Sequence, residues 1–200
     1  MRKGAESEIY LIDWYGQQAV SKTRITKKYR HYSIDLTLRK QRTLHEATIM
    51  SSVKFFGVQT PFIYFLNSNN FEIIMEYVIG NTIKNNFSPD YCVKVGEIIA
   101  NLHINNIIHG DITTSNFIIT PQNRLTIIDF GLSFFSERLE DKAADIRLFK
   151  EILNSVHVDF YKKSFENFTL GYSNIYGKKH LKIFNIVNEI EQRGRYSRQT

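Results

Sequence analysis

His109-Gly110-Asp111-Ile112-Thr113-Thr114-Ser115-Asn116, with Asp129-Phe130-Gly131 beginning eighteen positions after Asp111, is the stretch that decides the fold of this 200-residue chain. Phosphoryl transfer needs one carboxylate to orient the accepting hydroxyl, and further oxygen ligands to hold a metal on the phosphates. Asp111 suits the first task. Asn116, five residues on, and Asp129, on a second turn, suit the other. A lone Asp-Phe-Gly carries little weight. Two such motifs in this order, each behind an apolar run with strand character, carry much more.

Around these motifs the chain has 42% hydrophobic residues, enough for one compact core or two closely packed lobes but not for several domains. Fifteen Phe and eleven Tyr give that core an aromatic character and exclude disorder across the whole chain. A formal charge of +6 points to a polyanionic partner, nucleic acid above all, or to a solvated basic surface around a nucleotide site. Cys92 is the only cysteine, so no internal disulfide forms and a reducing compartment fits. The six histidines show no zinc-ligand spacing. No signal peptide and no bilayer-spanning run is visible, so the expectation is a soluble protein of the cytoplasm, and of the nucleus as well if the source is eukaryotic.

Outward from the motifs, the first eighty residues read as strands with one helix. Residues 8–14 and 18–25 form a hairpin around Tyr15-Gly16-Gln17, with Lys22 in the second strand. Residues 39–54 read as a helix in which Glu46, Ile49, Met50 and Val53 share one face, so that Glu46 heads an apolar stripe and needs a cation to meet it. A second hairpin, residues 62–66 and 71–78, follows. Helices dominate after Gly80. Ser88-Pro89 marks a helix start, and Tyr91, Val95, Ile98, Ile99 and Leu102 give that helix its buried face. Short strands at 117–120 and 125–128 come next, then a helix marked by Leu139, Ala143, Ile146, Phe149 and Leu153. A weaker segment at 156–168 and a helix around Ile183, Ile186, Val187 and Ile190 close the pattern. Residues 193–200, basic and without apolar period, read as a mobile tail. The fold class is α+β: residues 1–80 a small β-rich N-lobe with one key helix, 81–192 a reduced helical C-lobe, 193–200 the tail.

Strand-borne Lys22, helix-borne Glu46, the extended Met75-Glu76-Tyr77-Val78, then Asp111, Asn116 and Asp129 stand in the order of the bilobal protein-kinase fold, which the chain resembles along its whole length. Within that fold Gly4-Ala5-Glu6, the His109–Asn116 stretch, Glu140-Asp141-Lys142-Ala143-Ala144-Asp145, the basic run from Lys22 to Arg30 and the Arg-Gly-Arg near the end are similar to the small atypical kinase/ATPase subunit of the KEOPS complex, which supports threonylcarbamoylation of tRNA. The resemblance implies ATP and Mg2+ as cofactors. Lys22 then meets the α- and β-phosphates and pairs with Glu46. Asp129 and Asn116 hold the metal through oxygen, and Asp111 is the catalytic base. Met75, Glu76 and Val78 meet the adenine; Ile118 and Ile128 either touch its ring or are plain strand core. Asp145 either accepts hydrogen bonds from the Asp111 loop or is an exposed charge.

Departures from ordinary protein kinases matter too. Only Gly4 precedes the first strand, so the phosphate cover is expected to be a short turn of Gly4, Ala5, Glu6 and Ser7. Gly110 replaces the arginine that commonly reads a phosphorylated activation loop, and too little chain lies between Asp129 and Leu139 for such a loop. The resemblance implies a Ser/Thr kinase with ATPase activity inside the complex. Its partners are a threonylcarbamoyl-transferase subunit reached by the tail and C-lobe, a small regulatory subunit on the N-lobe, and tRNA, with no membrane. A free-standing RIO-like kinase and a small-molecule phosphotransferase are the alternatives. A scaffold without catalysis is disfavoured by Lys22, Glu46, Asp111, Asn116 and Asp129 occurring together.

Overall fold

The computed structural model describes residues 2–3 and 6–196 and divides into two compact units. The first comprises Met1–Ile79 with Thr126–Gly131, the second Gly80–Leu125 with Leu132–Thr200. Residues 126–131, Asp129 among them, therefore belong with the first unit, an association between distant stretches that local pattern does not show.

The first unit is built on an antiparallel sheet. A short β1 (Arg2–Lys3) pairs with β2 (Ser7–Trp14), which turns into β3 (Gln17–Arg24). The turn uses Tyr15 and Gly16, both at positive φ (53° and 81°), the left-handed pair that suits a two-residue hairpin. That fixes the register, with Ile9 opposite Lys22 and Ser7 opposite Arg24. Helix α1 (Tyr32–Ser52) and a 3-10 turn (Val53–Phe56) follow, ending at left-handed Gly57. The chain then forms β4 (Ile63–Asn67) and β5 (Glu72–Glu76), giving the strand order β1-β2-β3-β5-β4. Lys22 thus sits on the central strand, opposite Ile73 of β5. Ala19, Ile49, Met50, Val53, Val58 and Ile73 are buried.

Helix α1 begins seven residues before the expected position. Its first turns carry no apolar period because the buried residue there is Asp35, fully enclosed, accepting the Lys27 backbone N–H and paired with Arg39. A polar residue on the inner face erases the signal by which amphipathic helices are read.

The second unit opens with β6 (Asn81–Thr82) and α2 (Tyr91–Ile104). The Ser88 hydroxyl accepts the Asp90 N–H and a turn precedes the helix, so the start falls two residues beyond the Ser-Pro signal. After β7 (Ile107–Ile108) and a 3-10 turn (Thr114–Asn116), β8 (Phe117–Ile119) pairs with β6. Strand β9 (Leu125–Ile127) carries the chain back to the first unit. Beyond it β10 (Phe134–Phe135) pairs with β7. Helices α3 (Leu139–Val156), α4 (Tyr161–Tyr176) and α5 (His180–Tyr196) complete the chain. Helix α5 takes in Arg193–Tyr196, the first half of the segment expected to be a tail; a single Gly194 costs a helix only about 1 kcal/mol. Residues 197–200 lie outside the described residues.

Helices α2 and α4 pack closely through glycines. A methyl group at Gly96 would overlap the Phe168 carbonyl, and one at Gly171 the Val93 carbonyl. The buried face of α2 accordingly runs through Cys92, Val95, Gly96, Ile99, Ala100 and His103, while Tyr91 and Ile98 of the expected stripe are only half-buried. Cys92 is fully enclosed, and burial pushes its thiol up to about 12. Among the described residues no helix is long and apolar enough to cross a membrane.

Candidate active site

Each unit assembles its own set of candidate site residues. In the first, the buried Lys22 ammonium lies 2.6 Å from Glu46 Oε1 and 2.7 Å from Asp129 Oδ1. Burial works to lower the pKa of this lysine, but the Glu46 and Asp129 carboxylates outweigh it and hold the group above its ordinary value. Asp129 has a left-handed backbone (φ 64°), and its Oδ1 also accepts the Gly131 N–H. That conformation is uncommon for a residue other than glycine. Here the ammonium and the turn amide both converge on the carboxylate it presents.

The other Glu46 oxygen is taken by Arg24, whose Nη2 lies 2.6 Å from Oε2. Arg24 is buried and its Nη1 also reaches Glu6 at 3.6 Å. Glu6 in turn meets Arg42 at 2.5 Å and Arg30 at 3.7 Å, and Asp35 meets Arg39 at 2.7 Å and Arg30 at 3.9 Å. Partial burial would raise the Glu6 pKa, but Arg42, Arg24 and Arg30 hold its carboxyl below the usual range. Four of the arginines that suggested a basic surface are therefore engaged with acids inside the unit. The signal for Arg24 was present: residues 20, 22 and 24 of one strand share a face, so a cation two places from an inward Lys22 points inward as well.

The expected phosphate cover is only partly described. Gly4 and Ala5 lie outside the described residues. Glu6 has its carboxylate in the arginine cluster, and Ser7 is the buried first residue of β2, opposite Arg24, so these two lead into a strand instead of forming an open turn. Met75 is buried on β5 opposite Val20. The Glu76 N–H bonds the Phe62 carbonyl and its carboxylate accepts the Phe62 N–H, which commits Glu76 to the sheet; Tyr77 and Val78 follow beyond the strand. Ile128 is half-buried.

In the second unit the loop after β7 is held by α3. Asp145, buried, accepts the His109 N–H and the Gly110 N–H, both at 2.8 Å, and meets His103 Nε2 at 3.2 Å. The Tyr172 hydroxyl closes the chain on His103 Nδ1 at 2.9 Å. Of the two readings left open for Asp145, the structure shows the hydrogen-bonded one. Gly110 has φ 78°, and a Cβ there would stand 2.5 Å from the Leu132 carbonyl oxygen. An arginine cannot occupy this position, which gives the Gly110 departure a steric cause. Asn116 Nδ2 donates to both the carbonyl and the Oδ2 of Asp111 at 2.9 Å, fixing that carboxylate and leaving Oδ1 of Asn116 as its acceptor. Ile118 lies on β8 opposite Thr82, half-buried.

Among the described residues no group of three or more His, Cys, Asp or Glu forms a ready metal site. One carboxylate and one amide oxygen, Asp129 and Asn116, are hard donors of the kind that fit magnesium, which keeps several of its waters.

Residues 3–145 match the protein kinase domain family. The chain is 43% identical to a probable bifunctional tRNA threonylcarbamoyladenosine biosynthesis protein of Methanobrevibacter smithii over 98% of its own length, but spans only 36% of that relative. It is 37% identical to the KEOPS complex subunit Bud32 of Pyrococcus abyssi, covering 98% of this chain and 95% of the relative. Among solved structures the Rio2 kinase of Chaetomium thermophilum is similar in fold, with a TM-score of 0.65 at 17% identity, over 98% of this chain and 71% of the other.

Proposed function

Because this chain belongs to the Bud32 family of protein-kinase domains, we propose that it is a Mg-ATP-dependent Ser/Thr kinase and ATPase of a KEOPS complex, serving threonylcarbamoyladenosine synthesis on tRNA. The observation that carries the catalytic part is the buried Lys22 shared between Glu46 and Asp129. A buried ammonium with two carboxylates is expensive to assemble and breaks down if any partner is removed. Its charge is suited to the α- and β-phosphates of ATP.

Asp111 orients the attacking hydroxyl or water and takes its proton; Asn116 holds that carboxylate in place, and Asp145 holds the backbone before it. Asp129 and Asn116 would hold magnesium, which would supply charge neutralisation on the phosphates. Met75, Glu76 and Val78 meet the adenine, with Ile118 and Ile128 as apolar contacts. Residues 4–7 remain the proposed phosphate cover, through their backbone. The partners are a threonylcarbamoyl-transferase subunit, met by the C-terminal residues and the helical unit, and a small regulatory subunit on the β-rich unit. A cytoplasmic location goes with them. A free-standing RIO-like kinase is the second reading, favoured by the fold likeness to Rio2.

Single-turnover assays with labelled ATP, run alone and with the transferase partner plus tRNA, separate the two. A rate raised by partner and tRNA supports the first; a rate indifferent to both supports the second. Asp111→Asn should lower turnover by at least about a hundredfold with an unchanged melting temperature. A folded Asp111→Asn protein with wild-type turnover overturns the catalytic assignment.

A further inference from the structure

Thr114 lies between Asp111 and Asn116, and no role proposed above uses it. It is the fully buried side chain of the 3-10 turn, 1% exposed, whereas Ser115 and Asn116 beside it are half-buried. Its hydroxyl stands 3.0 Å from Nε2 of His157, the residue that ends α3. His157 is itself buried and stacks on Phe87, with centroids 3.6 Å apart and planes 11° from parallel. Burial, and then the nearby Lys84 cation, lower its pKa, which favours the neutral ring, and Nε2 shares a hydrogen bond with the hydroxyl. The Thr114 carbonyl accepts the Lys84 N–H, and the Asn116 N–H closes on the Thr113 carbonyl.

One helix therefore grips the loop twice. Asp145, early in α3, holds residues 109 and 110, and His157, at its end, holds residue 114. Asp111 lies between the two ties and Asn116 two residues after the second. We propose that His157 is a positioning residue for the proposed reaction, acting through the Thr114 hydroxyl to set the turn that aims Asn116 and, through it, the Asp111 carboxylate. This rests on the kinase/ATPase function given above. A hydrogen bond two residues from Asn116 sets direction without touching the nucleotide, so its loss lowers kcat and leaves the KM for ATP unchanged.

The test compares His157→Phe, which keeps an aromatic ring against Phe87, and Thr114→Val, which keeps the shape of the side chain, with His157→Gln and Thr114→Ser, which keep a hydrogen-bonding group. The first pair should each lose about tenfold in kcat, the worth of one buried hydrogen bond, with KM within about twofold of wild type. The double variant should be no slower than either single one. His157→Gln and Thr114→Ser should recover most of the rate. A second readout does not depend on catalysis: hydrogen exchange at the Asn116 amide should quicken about tenfold in His157→Phe, while the Gly110 amide, held by Asp145, keeps its protection. Wild-type kcat in His157→Phe and Thr114→Val, additive losses, or unaltered exchange at Asn116 overturns the proposal. If wild type shows no Asp111-dependent turnover, the kinase function falls, and exchange at Asn116 alone decides the positioning role.

Discussion

Glu46 holds two cations, and the one without a part in the proposed chemistry is the more informative. Lys22 occupies one carboxylate oxygen and Arg24 the other. The tie between β3 and α1 is thereby doubled and does not depend on Lys22 alone. Arg24→Met leaves a buried carboxylate half-paired and should cost about 3–5 kcal/mol in urea unfolding; Arg24→Lys restores charge but not the two-nitrogen reach to Glu46 and Glu6, and should recover only part of it. A midpoint unchanged in Arg24→Met would show that Lys22 suffices. His157 gives the pH dependence. Its folded pKa is depressed below 6.5. The unfolded chain takes up the proton first as pH falls, so the contribution is complete above about 6.5 and declines as pH drops toward the folded pKa. Melting temperatures between about pH 7.5 and 5.5 should fall further for wild type than for His157→Gln, which has no proton to gain in that window.

Among the elements, the strands and helices with a clean apolar period were legible, and those that bury polar or small residues were not. The β2–β3 hairpin announced itself through Tyr15-Gly16, and α3 through its leucine and phenylalanine spacing. The first turns of α1 were hidden by Asp35, and the inner face of α2 by Gly96. Glycine on a helix face reads as a weak point until a neighbouring backbone is seen resting on it. Gly96→Ala and Gly171→Ala each place a methyl against a carbonyl oxygen of the other helix, an atom that cannot turn aside. Each should destabilise the chain by about 1–3 kcal/mol or more, against the slight gain alanine normally brings to a helix. Circular dichroism melts check the sign: a raised midpoint in either variant contradicts so close a crossing.

For the whole molecule, net charge counts the cations in excess but does not say where they face. The sequence carries +6, yet Arg24, Arg30, Arg39 and Arg42 are bound to Glu6, Asp35 and Glu46 within one unit. Charge counted along a chain cannot distinguish a cation facing solvent from one facing an acid thirty residues away. The motifs of the candidate site were legible because their order and spacing are local. The second partner of Glu46 and the return of residues 126–131 to the first unit depend on contacts across long stretches of chain. Cys92 turns the division into units into a measurement. A thiol held near 12 carries almost no thiolate at neutral pH, so an alkylating reagent must wait for the helix to open. The chain has no other cysteine, and this one belongs to the second unit. Its labelling rate is a clock for the opening of the helical unit alone. Nucleotide that steadies only the β-rich unit should leave the clock unchanged, while nucleotide that draws on Asn116 as well should slow it.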